Sequence, residues 1–134
     1  MKTSTQCAAF CDENNIALDY CRLPLNGSLS FEDRDNKYII MDEGDMTEAQ
    51  RKVHLAHEIG HCMTGAFYHP YSPLETRSRC EYKANMWMIE MLIPKKDLLQ
   101  AFENGITEVW ELAEHFDVPE DTVRFACYEY FDKR

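Results

Sequence analysis

Residues 53–63 read VHLAHEIGHCM and contain the pattern His-Glu-x-x-His at residues 57–61. On an α-helix, two histidines four positions apart lie one above the other on the same face, close enough to bind one metal ion. We therefore predict that His57 and His61 are ligands of Zn²⁺, a metal that imidazole and carboxylate groups suit. Glu58 would lie about 100° around the helix from His57, where its carboxylate can act as a general base on a bound water.

The residues around this motif favour a buried helix over a solvated one. On a helical wheel its polar side chains fill one wedge of about 100°: His54, His57, Glu58 and His61. The remaining positions of residues 53–63 are apolar or glycine, which is typical of a helix inside a protein, and buried polar groups need partners that a metal can supply. The alternative is a chance match on an amphipathic helix with solvated histidines. The apolar flanks on both sides argue against it.

Composition predicts one compact cytoplasmic domain. A chain of 134 residues that is 45% hydrophobic is long enough for one core and short for two, so we assign residues 1–134 to a single domain. The net charge of -10 argues against binding of nucleic acid or of an anionic membrane, because both need a basic surface. No apolar run approaches the roughly 18 residues of a membrane span, and we identify no signal peptide.

The six cysteines are expected to be reduced thiols that pack as small apolar groups, because a cytoplasmic protein seldom forms disulfides. Cys7 and Cys11 are four positions apart on a predicted helix, a spacing that a second metal site could use. No Cys-x-x-Cys pair supports such a site, and we disfavour it.

Local patterns predict an α+β fold. A first helix is expected over residues 4–14, followed by short strands at residues 16–21, 27–31 and 37–41. Turn residues at Asn26-Gly27 and at 33–36 separate the strands, which predicts a small three-stranded antiparallel meander. We expect this sheet to pack against the zinc-binding helix, with a helical C-terminal half.

The metal-binding helix has predictable ends. Thr47 and Gln50 have the spacing of a capping box at its start, and Gly65 follows its end. Residues 66–79 contain two prolines and no hydrophobic period, which predicts a loop. Tyr68, His69 or Tyr71 from that loop could stabilise an oxyanion. Plain surface packing of the loop is the favoured interpretation.

A third protein ligand must come from further along the chain. A metzincin-type continuation would place Gly at 64 and His at 67, where this chain has Thr64 and Phe67. The next predicted helix, residues 80–94, offers Glu81 and Glu90. Nine positions at about 100° each place them on opposite sides, so one helix cannot present both to the same ion. Spacing favours Glu81 and leaves Glu90 open, and we expect a glutamate in an apolar run to need a partner of its own.

At this point the residues resemble a known family. The sequence HEIGH at 57–61, then Glu81-x-x-Ala84-Asn85, then EMLIP at 90–94, is similar to the pattern of the ImmA/IrrE metallopeptidases. The resemblance covers roughly residues 16–128. It implies a small gluzincin-like fold in which His57, His61 and Glu81 bind one Zn²⁺ per chain, with Glu58 as the catalytic base. The position of Glu90 is not a ligand in that family, which implies a structural role.

The resemblance also implies a class of substrate. Family members are encoded in mobile elements, prophages and bacterial stress responses, and those studied act on helix-turn-helix repressors. We therefore predict a zinc endopeptidase whose partner is a protein substrate of that kind.

The last third of the chain is predicted to be helical. Two apolar stripes at helical spacing, one over residues 109–116 and one over 123–130, are separated by Asp117-Val118-Pro119. Residues 112–124 resemble a helix-turn-helix, but residues 106–134 hold eight acidic and three basic residues, a balance of -5. A DNA-reading helix needs basic side chains, so a packing hairpin over 106–132, within the same domain, is favoured. By the family resemblance, it could help to dock a substrate.

Two other classes of function remain open at this stage. The first is a noncatalytic, metal-stabilised adaptor that binds a repressor or toxin without cutting it. The second, weaker alternative is an acidic helix-turn-helix transcription factor.

Overall fold

The computed structural model describes residues 3–24 and 27–133. It has the predicted α+β composition, with a small sheet near the N-terminus followed by helices. The described elements, in chain order, are α1 (Ser4–Glu13), β1 (Ile16–Cys21), β2 (Ser28–Asp33), β3 (Asn36–Asp42), α2 (Glu48–Thr64), α3 (Leu74–Leu92), α4 (Lys95–Glu103), α5 (Val109–Phe116), α6 (Glu120–Cys127) and a π-helical turn (Tyr128–Asp132). The predicted turn residue Asn26 lies outside the described residues. No helix in the described part of the chain is long and apolar enough to cross a bilayer.

The sheet is mixed, so the prediction of an antiparallel meander is wrong in one pairing. Strands β2 and β3 form an antiparallel hairpin, and its turn residues Arg34 and Asp35 both have positive φ, as a tight hairpin turn requires. Strand β1, however, runs parallel to β3, and the strand order is β1-β3-β2. Strand β3 carries the buried Ile39 and Met41 and takes the centre, where it has a neighbour on each side. Turn chemistry between β1 and β2 carries no information about that order.

One face of the sheet packs with helices α1 and α2 to form the first part of the core. Leu55, Ala56 and Ile59 of α2 are fully buried, and Cys7 and Cys11 of α1 belong to the same cluster. Burial raises the pKa of both thiols to about 11, so they stay protonated and pack as apolar groups. All six cysteines are free in the structure, Cys21 is exposed, and no candidate metal-binding group in residues 3–24 and 27–133 includes a cysteine.

Helix α2 has the ends that the sequence predicts. The Thr47 hydroxyl accepts a bond from the Gln50 amide, and the Gln50 side chain accepts one from the Thr47 amide, both at 3.1 Å. At the other end Gly65 adopts the left-handed conformation with φ of 68°. Lys37 Nζ of β3 donates to the Cys62 carbonyl at 2.7 Å, one of the last carbonyls of α2 that lack an intrahelical partner. The helix is thereby fixed against the sheet.

Helix α3 begins at Leu74, six residues before the predicted start. The loop therefore covers only residues 66–73, and the prediction of a loop over 66–79 is wrong in its second half. Residues 74–79 contain no proline or glycine, but most of their side chains are exposed, so they carry no hydrophobic period. A helix turn with no buried face leaves no such signal in the sequence.

Helices α2 and α3 touch through their backbones at Gly60. A Cβ atom built on Gly60 would lie 2.6 Å from the carbonyl oxygen of Ala84 and 3.0 Å from its Cα. Only glycine fits at this crossing, and Ala84 is itself fully buried. Since Glu81 lies one turn before Ala84 on α3, the close approach carries it to the histidines of α2.

The C-terminal hairpin packs on the core, as its apolar stripes predict. Leu112 of α5 and Val123 and Ala126 of α6 are buried. Lys52 of α2 is also buried, and its Nζ donates to the Phe116 carbonyl at the end of α5 at 2.7 Å. A cation at a helix C-terminus is favourable because the last carbonyls are unpaired. The hairpin is therefore attached directly to α2.

The Gly60–Ala84 approach predicts that Gly60→Ala destabilises the protein. We expect the free energy of unfolding to fall by about 1–3 kcal/mol, the usual cost of forcing extra atoms into a packed core. In an unobstructed helix the same change would be stabilising by about 1 kcal/mol, because alanine is the better helix former. Urea unfolding of the wild type and the variant distinguishes the two cases, because the change in the free energy of unfolding has opposite signs in them. A more stable variant would mean that α3 moves away from α2 at no cost.

Candidate metal centre and active site

The two motif histidines meet one glutamate from the crossing helix. His57 Nε2 lies 2.9 Å from Glu81 Oε2, and His61 Nε2 lies 3.0 Å from Glu81 Oε1. The two imidazole rings are 4.8 Å apart at their centroids and nearly perpendicular. The ligand atoms of these three residues all lie within 4.8 Å of one another, so the three could hold a metal ion. The structure thus brings together the residues that the sequence predicts as ligands.

Each imidazole is oriented through its second nitrogen. His57 Nδ1 is 2.7 Å from Asn85 Oδ1, and His61 Nδ1 is 2.6 Å from the Ala66 carbonyl oxygen. Such outer contacts fix the ring and direct Nε2 at a metal. Asn85 was not identified from the sequence as the residue that orients His57. Its spacing of four positions from Glu81 places both residues on one face of α3 and could have indicated this role.

The hydrogen-bond pattern of His61 requires a proton or a metal ion between this ring and Glu81. The Ala66 carbonyl can only accept, so His61 Nδ1 carries a proton, and a neutral ring then presents an unprotonated Nε2. That lone pair faces the Glu81 carboxylate, which also only accepts when it is ionised. Two acceptors 3.0 Å apart need a proton or a metal ion between them. Two imidazoles and a carboxylate are a donor set that suits zinc.

These contacts shift the pKa values of His61 and Glu81 in opposite directions. Burial lowers the pKa of His61, but its bonds to Glu81 and to the Ala66 carbonyl outweigh that effect and raise it overall. The bonds from His57 and His61 hold the pKa of Glu81 far below its ordinary value. A proton is therefore held readily on His61 Nε2, between this ring and Glu81, and a metal ion that binds here must displace it.

Glu58 lies beside the three ligands and has different partners. Its carboxylate is buried and accepts a bond from Ser28 Oγ at 2.8 Å and another from Ser30 Oγ at 2.7 Å. Both serines belong to β2, an edge strand, where alternate residues point to the same face. Neither serine was predicted from the sequence. Their i, i+2 spacing on a predicted strand is the only signal that could have indicated them.

Glu90 takes no part in the group. Its side chain is exposed, so the expectation that it needs a partner within an apolar run is wrong. The surrounding residues of α3 are apolar because neighbouring positions on the helix face the core, while Glu90 itself faces solvent. His54 is the remaining member of the polar wedge on α2. It is also outside the metal group, by which we mean the three residues that could hold a metal ion, His57, His61 and Glu81.

A polar cavity of about 350 Å³ contains the site. It is lined by Ser28, Leu29, Ser30, His57, Glu58, His61, Phe67, Tyr68 and Glu81. Among the three oxyanion candidates, Tyr68 lines the cavity, and its hydroxyl donates to Glu81 Oε1 at 2.9 Å. Burial, together with the bond to Glu81, raises the pKa of Tyr68 to about 12. Tyr71 is 90% exposed and contacts the ring of His69, so surface packing describes those two side chains.

Two histidines and a glutamate on crossing helices, with a second, buried glutamate beside them, define the class of metallopeptidases that carry His-Glu-x-x-His. A comparison with protein families agrees: the model of the IrrE N-terminal-like domain, which defines the M78 peptidases, matches residues 11–128. The chain belongs to this family of metal-dependent hydrolases. A search of the curated proteins found no match.

The ligand assignment predicts how two glutamates of α3 differ. Glu81→Ala should bind zinc at least about a hundredfold more weakly, because losing a ligand should cost no less than losing an outer-shell partner. Glu90→Ala, the matched control on the same helix, should keep the affinity of the wild type. Zinc content by elemental analysis and competition with a chromophoric chelator measure both. Equal losses in the two variants would contradict the assignment.

Proposed function

We propose that the protein is a zinc endopeptidase that cleaves a helix-turn-helix repressor or a similar regulatory protein of a mobile element, prophage or stress response. One observation carries the proposal: Glu58 shares a cavity with the three groups that can hold a metal. Ligands and base are the parts that metal-assisted peptide hydrolysis needs. The family match supports the reaction class.

Zinc is the proposed ion, one per chain, with His57, His61 and Glu81 as its ligands. Three protein ligands leave a coordination position open, which is the pattern of catalytic rather than structural zinc sites. Zinc in such a site polarises a carbonyl oxygen and lowers the pKa of water. The Asn85 and Ala66 oxygens hold the two imidazoles in the orientation that this binding requires.

Glu58 is the proposed general base. One of its carboxylate oxygens takes the proton of the attacking water and delivers it to the nitrogen of the leaving amine. The hydroxyls of Ser28 and Ser30 hold this carboxylate in one orientation beside the ligands. They are positioning groups, and the backbone of β2 sets where they stand.

Tyr68 is the proposed donor to the oxyanion that develops on the scissile carbonyl. Its hydroxyl already lies at the site, donating to Glu81, and 40% of the residue is exposed on the loop over residues 66–73. A small rotation can redirect the hydroxyl to a substrate oxygen. A donor of this kind stabilises charge that appears only in the transition state.

The edge of the sheet and the charge of the chain support a protein substrate. Strand β2 has β3 on one side only, so its other edge can pair with an extended peptide next to Glu58. The net charge of -10 favours encounter with a basic partner. DNA-binding repressors are basic, because they neutralise phosphates.

Glu58→Gln separates an enzyme from an adaptor. The variant keeps the shape of the side chain but not its basicity, so it should retain zinc content and melting temperature while cleavage falls at least about a hundredfold. Cleavage is followed by mass spectrometry on a proteome-derived peptide library and on helix-turn-helix proteins encoded beside the gene. Indistinguishable wild-type and variant proteins, both loaded with zinc, would rule out the proposed reaction for the substrates tested.

Tyr68→Phe tests the oxyanion donor. Losing one such donor should lower kcat about a hundredfold or more with little change in KM, since the contact forms only in the transition state. Binding of a phosphinic peptide, which mimics that state, should weaken in parallel while zinc affinity is retained. Tyr71→Phe, an exposed tyrosine of the same loop, is the control. A variant that loses zinc but binds the phosphinic peptide normally when reloaded would show that Tyr68 only orients Glu81.

A further inference from the structure

A second cavity of about 350 Å³ adjoins the metal group along α2. Three helices line it: α2 through Val53, His54 and His57, α3 through Asn85 and Met88, and α6 through Asp121, Thr122 and Phe125. The linings of the two cavities have one residue in common, the proposed ligand His57. The second cavity extends towards the start of α2 and the C-terminal hairpin, while the polar cavity extends towards β2.

The walls of this cavity are mainly hydrocarbon. Val53, Met88 and Phe125 supply apolar surface from three different helices. Asp121 is the acidic residue of the lining and is exposed. The Asn85 amide oxygen is already engaged by the His57 ring. Although His54 and Thr122 also line the cavity, most of its surface is apolar, and burying an apolar side chain against such a surface is favourable.

We propose that this cavity is a specificity subsite that binds a large apolar side chain of the substrate, on a residue next to the scissile bond. The proposal rests on the proposed peptidase function and adds its substrate preference. An extended peptide advances only about 3.3 Å per residue. A cavity that shares His57 with the metal group is therefore within reach of the residues that flank the reacting bond.

The subsite gives the C-terminal hairpin a role. Helix α6 forms the second half of the segment that resembles a helix-turn-helix, and it supplies Asp121, Thr122 and Phe125 to the cavity wall. The bond from Lys52 Nζ to the Phe116 carbonyl attaches the preceding helix to α2. Helix α6 therefore acts as a fixed wall of the substrate cleft.

Hydroxamates test the subsite by binding, independently of turnover. The probes are N-acetyl-leucine, N-acetyl-phenylalanine and N-acetyl-glycine hydroxamates, titrated calorimetrically into the zinc-loaded protein. The leucine and phenylalanine compounds should bind about ten- to a hundredfold more tightly than the glycine compound, which is the gain from burying one such side chain. Equal affinities would overturn the proposal. Failure of all three to bind would overturn both the subsite and an open catalytic zinc.

Substitutions in the wall assign the preference to this cavity. Val53→Phe fills the cavity and Phe125→Ala removes a wall, so each should bring the ratio of leucine to glycine hydroxamate affinity close to one. Phe131→Ala, a C-terminal aromatic outside the lining, is the matched control and should retain the preference. If Phe125→Ala fails to fold, Val53→Phe alone decides, and an undiminished preference in it would refute the assignment.

A charged occupant and a noncatalytic site give different results. Lysine or arginine hydroxamate could instead bind more tightly than leucine hydroxamate, with this preference lost in Asp121→Asn but not in Glu120→Gln. That result would replace the apolar subsite with one that binds a cationic side chain. A leucine preference without cleavage of any peptide would refute the peptidase and with it a substrate subsite, because the cavity would then bind apolar side chains without a scissile bond. Cleavage without an apolar preference would refute the subsite and leave the peptidase standing.

Discussion

The close approach of two helix backbones at Gly60 is the constraint on which the site depends. Because a Cβ atom there would lie 2.6 Å from the Ala84 carbonyl, α3 can cross α2 at this distance only over a glycine. The crossing sets the position of Glu81, one turn away on α3, against His57 and His61. Gly60 and Ala84, which lie outside the group of His57, His61 and Glu81, therefore determine the geometry of that group.

Around this crossing, several hydrogen-bond acceptors lie close together, and their neighbours determine where the protons lie. The Ala66 carbonyl fixes which nitrogen of His61 carries hydrogen, and the other nitrogen faces a carboxylate. Glu58, by contrast, receives hydroxyl donors from the sheet, Ser28 and Ser30. Two glutamates in one cavity thereby have different environments: Glu81 faces both histidines, and Glu58 faces two hydroxyl donors.

The site also links parts of the chain that are far apart in sequence. Edge strand β2 borders the polar cavity, while α6 borders the apolar cavity on the far side of His57 along α2. Lys52 and Lys37 fix α2 to the hairpin and to the sheet by donating to backbone carbonyls. The two cavities therefore give a polar lining to one side of His57 and a mainly apolar lining to the other.

The sequence by itself determined what depends on local spacing. Helical periodicity placed His57 and His61 on one face, and the capping residues and Gly65 bounded their helix. The family pattern supplied Glu81 where spacing alone left two candidates. Only the tertiary structure decided the parallel pairing of β1, the serine partners of Glu58 and the entry of Tyr68 into the cavity. Those features depend on how distant segments pack, and residue periodicity within one segment holds no record of its neighbours in space.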